Sequence, residues 1–240
     1  MGAFTLTELL ACVASRLLED NRSVFVGTGL PMIAALLAQR THAPRLLIIF
    51  EAGGVGPRIP SLPVSVGDAR TFHQAVLASS MHDVMSACCA GYIDYGFLGG
   101  AAVDGYGNLN TTIFGDWQRP KVRLPGSGGA NDIGSFCWRT IYLMRNQSTR
   151  TFMQKLPFVT TPGYLDGPGA RERVGLPAGC GPYRVISPVS YTHLRAHETP
   201  EHLVCRLLLE KKNTSHTSHT SSQFSHYTQP HPNHSPPSPT

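Results

Sequence analysis

A strand, a helix and a second strand fall within residues 23–50, and that order limits the fold more than any other feature of the chain. Residues 23–26 (SVFV) are a short apolar run ending in Gly27, Thr28 and Gly29. Pro31 then suits the first turn of a helix through Ala35, Leu36 and Leu37. Pro44 interrupts the chain before a second apolar run, LLIIF at 46–50. Two buried-type strands joined by a helix form a βαβ unit, which implies a parallel sheet. Thr5 and Glu8 have capping-box spacing ahead of Leu9, Leu10, Val13 and Leu17, predicting an amphipathic helix to about Glu19. Further helices are expected at 81–89 and 133–138, and strands at 92–98, 109–114, 141–144, 158–161 and 183–186. The expected fold class is α/β: a mainly parallel open sheet with flanking helices. No repeat with a period of about 20–50 residues exists, which excludes a solenoid.

Open α/β sheets bind ligands beside the carboxyl ends of their strands. Glu51 occupies such a position, directly after the 46–50 run and before Gly53 and Gly54, which can let backbone approach a ligand. It reads either as a nucleophile or general base, or as an acidic turn residue. The segment GSGGAND (126–132), with Gly126, Gly128 and Gly129, precedes a helix and reads as an anion nest or as a helix cap through Asn131 or Asp132. Gly27, Thr28 and Gly29 before a helix read as backbone N–H donors for an anion or, in preference, as a plain tight turn; they do not complete a dinucleotide fingerprint, because Met32 stands where the third glycine belongs. His73 and His82 have no partners at triad spacing. Cys12, Cys137 and Cys180 read as small apolar residues, and Arg58, Lys121, Arg123 and Arg139 either as phosphate contacts or, by default, as solvated surface.

Other classes are set aside by what the chain lacks. There is no run of roughly 18 or more apolar residues, no basic and apolar leader, and no cysteine or histidine spacing that holds a metal. Neighbouring Cys88 and Cys89 suit a reduced thiol pair, so a soluble cytoplasmic protein is expected. The net charge of +5 is scattered, without a basic stripe, which disfavours nucleic acid as a partner.

The composition changes sharply along the chain. All 24 glycines lie at or before Gly181, whereas eight of the 11 histidines follow residue 188. From 213 to 240 there is no Leu, Ile or Val, so that stretch is expected to be disordered. Residues 189–212 resemble the translation of a sequencing-library adapter: Val189 to Thr199 match its transposon end and Leu203 to Lys211 its flow-cell portion, in the adapter's own order. The alternative is an amphipathic helix with Leu203, Leu207 and Leu208 on its apolar face. On the adapter reading, residues 1–187 are the natural domain, and 188–240 a non-native tail expected to be disordered.

Several motifs occur in a family order: VGTGLP (26–31), FEAGGVGP (50–57), SVGD (65–68), GGAAVD (99–104), YGN (106–108), PKVRLPGSGGAN (120–131) and PGYLDGPG (162–169). Together they resemble the β subunit of family I coenzyme A transferases of the glutaconate CoA-transferase type, with the 3-oxoadipate enzymes as near relatives. The resemblance spans nearly all of residues 5–187. It implies that Glu51 is the covalent nucleophile, that Gly53, Gly54, Gly99, Gly100, Gly126, Gly128 and Gly129 belong to loops that meet acyl-CoA or an oxyanion, and that an α subunit is the partner. Acyl-CoA and a carboxylic acid are the implied substrates, with no metal and no resident cofactor. The family's β subunit continues with further strands, so an unpaired sheet edge and exposed apolar surface are expected where this chain departs from it. Two competing readings are a ring-opening hydrolase of a cyclic diketone CoA ester, which would lack the glutamate, and a non-enzymatic sugar-phosphate-sensing domain.

Overall fold

The computed structural model describes residues 4–188 and 191–193. Helix α1 (Leu6–Ser15) starts with the reciprocal capping box of Thr5 and Glu8. It stops four residues earlier than the periodicity predicts, because Leu17 and Leu18 donate instead to Ala14 and Ser15 in a tightened turn that buries Leu18. Strand β1 (Ser23–Val26), helix α2 (Leu30–Thr41) and strand β2 (Leu47–Phe50) are the expected βαβ unit, with β1 and β2 paired in parallel. Short strands β3 (Gly54–Val55) and β4 (Leu77–Ala78) follow, then α3 (Met81–Cys89) and β5 (Tyr95–Gly99).

The middle of the chain builds small sheets: β6 (Ala102–Asp104), β7 (Leu109–Asn110), β8 (Ile113–Gly115) and β9 (Pro120–Arg123). Helix α4 (Ala130–Phe136), β10 (Arg139–Leu143), β11 (Phe152–Met153), α5 (Ala170–Arg173), β12 (Pro182–Ile186) and β13 (Tyr191–His193) complete it.

The main sheet has the order β13-β12-β10-β5-β1-β2-β3-β4. Its five central strands run parallel; β13 at one edge and β3 and β4 at the other are antiparallel. Successive side chains point to opposite faces, and both faces are covered, as a parallel sheet requires. Val24, Val26, Ile48, Phe50, Tyr95 and Phe97 pack with α1 and α2 on one side. Phe25, Ile49, Leu98, Tyr142 and Met144 pack with α3 and α4 on the other. Gly96 lets α4 lie close to β5, since a Cβ there would stand 2.5 Å from Ile133 Cγ2.

Three expectations need correction. Residues 109–114 are two strands in different sheets, because Asn110 Oδ1 accepts from the N–H groups of Thr112 and Ile113 and turns the chain. Residues 158–161 form no strand, only a bridge between Thr161 and Leu109. The expected open edge lies at β13 rather than β12: Tyr191–His193 pairs with Arg184–Ile186 and is itself the outermost strand. The disorder and the helix considered for 194–240 fall outside the described residues. Among the described residues no helix is long and apolar enough to cross a membrane.

The SVGD motif has a structural use. Asp68 accepts from the N–H groups of Val64 and Arg70 and from the Arg70 guanidinium, pinning the loop that carries Val66. The Arg70 side chain, first among these, holds the Asp68 carboxyl far below its ordinary value of 3.8. A depressed folded-state value stabilises the loop fully above the unfolded value, and the contribution is lost as pH falls through the folded value. Amide protection at Val64 and Arg70 is therefore expected to hold at neutral pH and decline below about pH 3.8. In Asp68→Asn it should be low at every pH, as hydrogen exchange would show.

Candidate active site

Strand β2 ends in a tight reversal that presents Glu51. Gly53 N–H donates to Phe50 O at 2.9 Å, which places Glu51 and Ala52 at the corner, and β3 returns antiparallel to β2. Gly53 has φ +110°, a backbone state that L residues avoid. A Cβ on Gly53 would stand 2.1 Å from Ser79 O, and one on Gly54 2.1 Å from Thr71 O. Both glycines are thus required by close packing of the turn on neighbouring backbone. They are not among the residues that line the cleft Glu51 faces.

That cleft, about 530 Å³, opens at the carboxyl ends of β1, β2 and β5. Glu51 is half-buried in its wall, and among the described residues its carboxylate makes no hydrogen bond or ion pair. It is also the sole charged side chain among the cleft-lining residues described. The opposite wall is the 126–129 loop. A Cβ on Gly128 would lie 3.6 Å from Glu51 Oε1, and one on Gly129 3.1 Å, so this backbone lies directly against the carboxylate. The loop is held by Gly126 N–H donating to Thr111 O (2.9 Å), Thr111 Oγ1 donating to Gly126 O (2.8 Å) and Ala130 N–H donating to Ser127 O (2.9 Å). Among the described residues the N–H groups of Gly128 and Gly129 take part in none of these bonds. Of the expected helix caps, Asn131 and Asp132 do not serve; Gly129 is the N-cap, without a side-chain bond.

Gly99 and Gly100 line the same cleft from the end of β5. A Cβ on Gly100 would meet Leu109 Cδ1 at 2.3 Å, so this glycine serves packing as well as access. Gly27 and Thr28 line the cleft from the turn that opens α2, where the sequence reading prefers a plain turn over an anion contact. Ser127 faces it from within the 126–132 segment, and Thr111 faces it too, although no local sequence signal marks Thr111. The basic residues considered for anions lie elsewhere. Arg139 sits at the other end of β10 with Glu19 and the Tyr95 and Tyr183 rings, and Arg123 lies over Trp117. His73 and His82 are exposed. Cys88 and Cys137 meet in the core with sulfurs 3.6 Å apart; hydrogen bonding to Cys137 lowers the Cys88 thiol's pKa, and the same bond, with burial, raises that of Cys137.

Gly129→Ala tests the wall directly. Its Cβ would stand 3.0 Å from Met85 Cε and 3.1 Å from Glu51 Oε1, displacing the carboxylate by a fraction of an ångström. Backbone φ at Gly129 is −79°, so the chain itself tolerates alanine. The expected result is a loss of activity on the order of 10²-fold with little change in unfolding midpoint.

A free carboxylate in a glycine-walled cleft can attack an activated acyl group. The family model described as Coenzyme A transferase matches residues 7–192. The chain is 40% identical over 188 residues to the β subunit of 3-oxoadipate CoA-transferase from Pseudomonas knackmussii, covering 78% of this chain and 72% of that one. It is 39% identical over 189 residues to the β subunit of glutaconate CoA-transferase from Acidaminococcus fermentans, covering 77% and 70%. The crystal structure of glutaconate coenzyme A-transferase from Acidaminococcus fermentans superposes with a TM-score of 0.74 at 38% identity, over 79% of this chain and 74% of that one. With a family model matched along most of its length and relatives near 40% identity, this chain belongs to the coenzyme A transferase family of enzymes.

Proposed function

We propose that this chain is the nucleophile-bearing half of a two-subunit CoA-transferase, exchanging CoA between an acyl-CoA and a carboxylic acid through a thioester on Glu51. The observation that carries the reading is the Glu51 carboxylate, unpaired among the described residues and set against the Gly128 and Gly129 backbone in the cleft. An unpaired carboxylate keeps its lone pairs for attack.

The chemistry follows from the need to keep thioester free energy from being lost to water. A Glu51 oxygen attacks the thioester carbonyl of the acyl-CoA; the C–S bond breaks, leaving a mixed anhydride and a CoA thiolate. The thiolate attacks the Glu51 carbonyl carbon, the anhydride C–O bond breaks, and the first acid leaves as a carboxylate. A second carboxylate attacks the resulting glutamyl thioester and the same two exchanges run in reverse. Covalent catalysis thus divides one hard transfer into matched steps. Each attack places negative charge on a carbonyl oxygen, and the Gly128 and Gly129 backbone beside the carboxylate would supply N–H donors to it. Coenzyme A enters as substrate, so the cycle uses no resident cofactor. The partner α subunit would close the open side of the cleft and exclude water. A ring-opening hydrolase is disfavoured because Glu51 is present, and a sugar-phosphate sensor because the family is enzymatic.

The test is chemical trapping. The enzyme assembled with its α subunit is incubated with acetyl-CoA alone and then with borohydride, which reduces a thioester to an alcohol. Peptide mass analysis should find the reduced side chain at Glu51. An unmodified Glu51 in an enzyme that turns over would sink the reading.

A further inference from the structure

Two buried nucleophiles take no part in the chemistry at Glu51: the thiols of Cys88 and Cys137. Their sulfurs stand 3.6 Å apart, although the residues are 49 positions apart in the chain. Cys88 belongs to the last turn of α3, and its sulfur also lies 3.9 Å from Asp132 O in the first turn of α4. Cys137 is the C-cap of α4, held by its N–H donating to Ile133 O. The pair therefore bridges two helices. Cys180 is a third thiol in this part of the core, but its sulfur donates to Phe136 O at 3.5 Å. Cys12 and Cys89 are exposed.

The same two helices meet again at the Glu51 wall. Met85 precedes Cys88 by one turn of α3 and shares its helix face. A Cβ on Gly129, the N-cap of α4, would stand 3.0 Å from Met85 Cε and 3.1 Å from Glu51 Oε1. Helix α4 is thus seated on α3 at both ends, by the two sulfurs at its C-cap and by Met85 at its N-cap. A disulfide needs its sulfurs about 2.05 Å apart, so closing this pair draws them together by about 1.5 Å. A close-packed interior transmits such a shift instead of absorbing it, and α4 is only seven residues long. Access comes from α3, where only Val84 and Cys88 of nine residues are buried. Opening of its last turn is therefore a low-energy route to Cys88 for an oxidant close to water in size.

We propose that Cys88 and Cys137 are an oxidation site, at which a small peroxide closes a reversible disulfide that displaces the Gly129 wall from Glu51. The effect on turnover rests on the covalent reading of Glu51; the disulfide itself does not. Cys88 is the attacking thiol, because its hydrogen bond with Cys137 favours its thiolate, while the same bond, with burial, keeps the proton on Cys137. The Cys88 thiolate attacks one peroxide oxygen and the O–O bond breaks. Cys88 becomes a sulfenic acid, and the hydroxide that leaves takes up the proton Cys88 released. The Cys137 sulfur then attacks the Cys88 sulfur, the S–O bond breaks, and the departing hydroxide takes the Cys137 proton. Two thiols and one hydrogen peroxide give one disulfide and two waters, the sulfurs losing the two electrons that the peroxide gains.

The experiment treats the assembled enzyme with hydrogen peroxide, blocks the remaining thiols with iodoacetamide and digests it without reductant. Peptide mass analysis should find Cys88 linked to Cys137. CoA exchange should fall on the order of 10²-fold, and dithiothreitol should restore it. Cys88→Ala and Cys137→Ala should each abolish the link and keep exchange activity in peroxide, so either variant serves if the other does not fold. Cys89→Ala should behave like the unsubstituted enzyme. Absence of the link, or a link through Cys180 in its place, would overturn the proposal. So would a complete link without loss of activity, or a loss that dithiothreitol does not reverse, as oxidation of Met85 to its sulfoxide would give. Borohydride trapping keeps the two readings apart. It judges Glu51 in the reduced enzyme, whereas the Cys88–Cys137 link is read by mass whether or not a thioester is trapped.

Discussion

Glu51→Ala is expected to lower CoA exchange by at least about 10⁴-fold while leaving the chain as stable as before. The activity loss follows from removing the atom that forms both covalent intermediates; oriented binding alone supplies only a residual rate. The unchanged stability follows from the absence of any hydrogen bond or ion pair to this carboxylate among the described residues, so its removal orphans nothing. Glu51→Asp is a sharper probe. It keeps the charge but draws the carboxylate back by one methylene from the Gly128 and Gly129 backbone, and misplacement of about 1 Å costs on the order of 10²-fold. Steady-state CoA exchange with thermal unfolding on the same samples would check both. A large fall in stability would mean that Glu51 holds the turn rather than serving the chemistry.

Arg171→Ala should have the largest effect on folding. Arg171 is 2% exposed, and its guanidinium has no carboxylate partner among the described residues. It donates instead to four backbone carbonyls: Ser135 (2.7 Å), Gly163 (2.8 Å), Pro162 (3.3 Å) and Gly134 (3.4 Å). Burial depresses its pKa, and the carbonyls at the end of α4 favour the positive charge. The side chain thereby ties α4 to the 162–163 segment, where a Cβ on Gly163 would stand 2.2 Å from Gly107 C. Alanine would leave those acceptors buried without donors and open a cavity, at a cost of about 3 kcal/mol. Lysine, a single point donor, should recover only part of this. Urea unfolding measures the difference directly. Activity should fall as well, since α4 begins at the Gly129 wall of the cleft.

The central framework was legible because its signals are local. The β1–α2–β2 unit follows from two apolar runs around a proline-started helix, and α1 and α3 begin with capping boxes. What went astray did so where side chains act on distant backbone. Asn110 breaks an apolar run by accepting from two N–H groups ahead of it, a turn that propensity alone does not weigh. Thr160 is drawn out of strand pairing as its hydroxyl accepts from Thr111 N–H.

By itself the sequence determined that Glu51 stands at the end of a buried parallel strand, because apolar run length and flanking glycines are properties of neighbouring residues. The tertiary structure alone decided what each glycine is for. A glycine records only that a Cβ is missing. Gly53 and Gly54 leave room for the backbone of Ser79 and Thr71, whereas Gly128 and Gly129 leave room for the Glu51 carboxylate. The difference lies in atoms up to some 78 residues away along the chain, brought there by the order in which the strands pair.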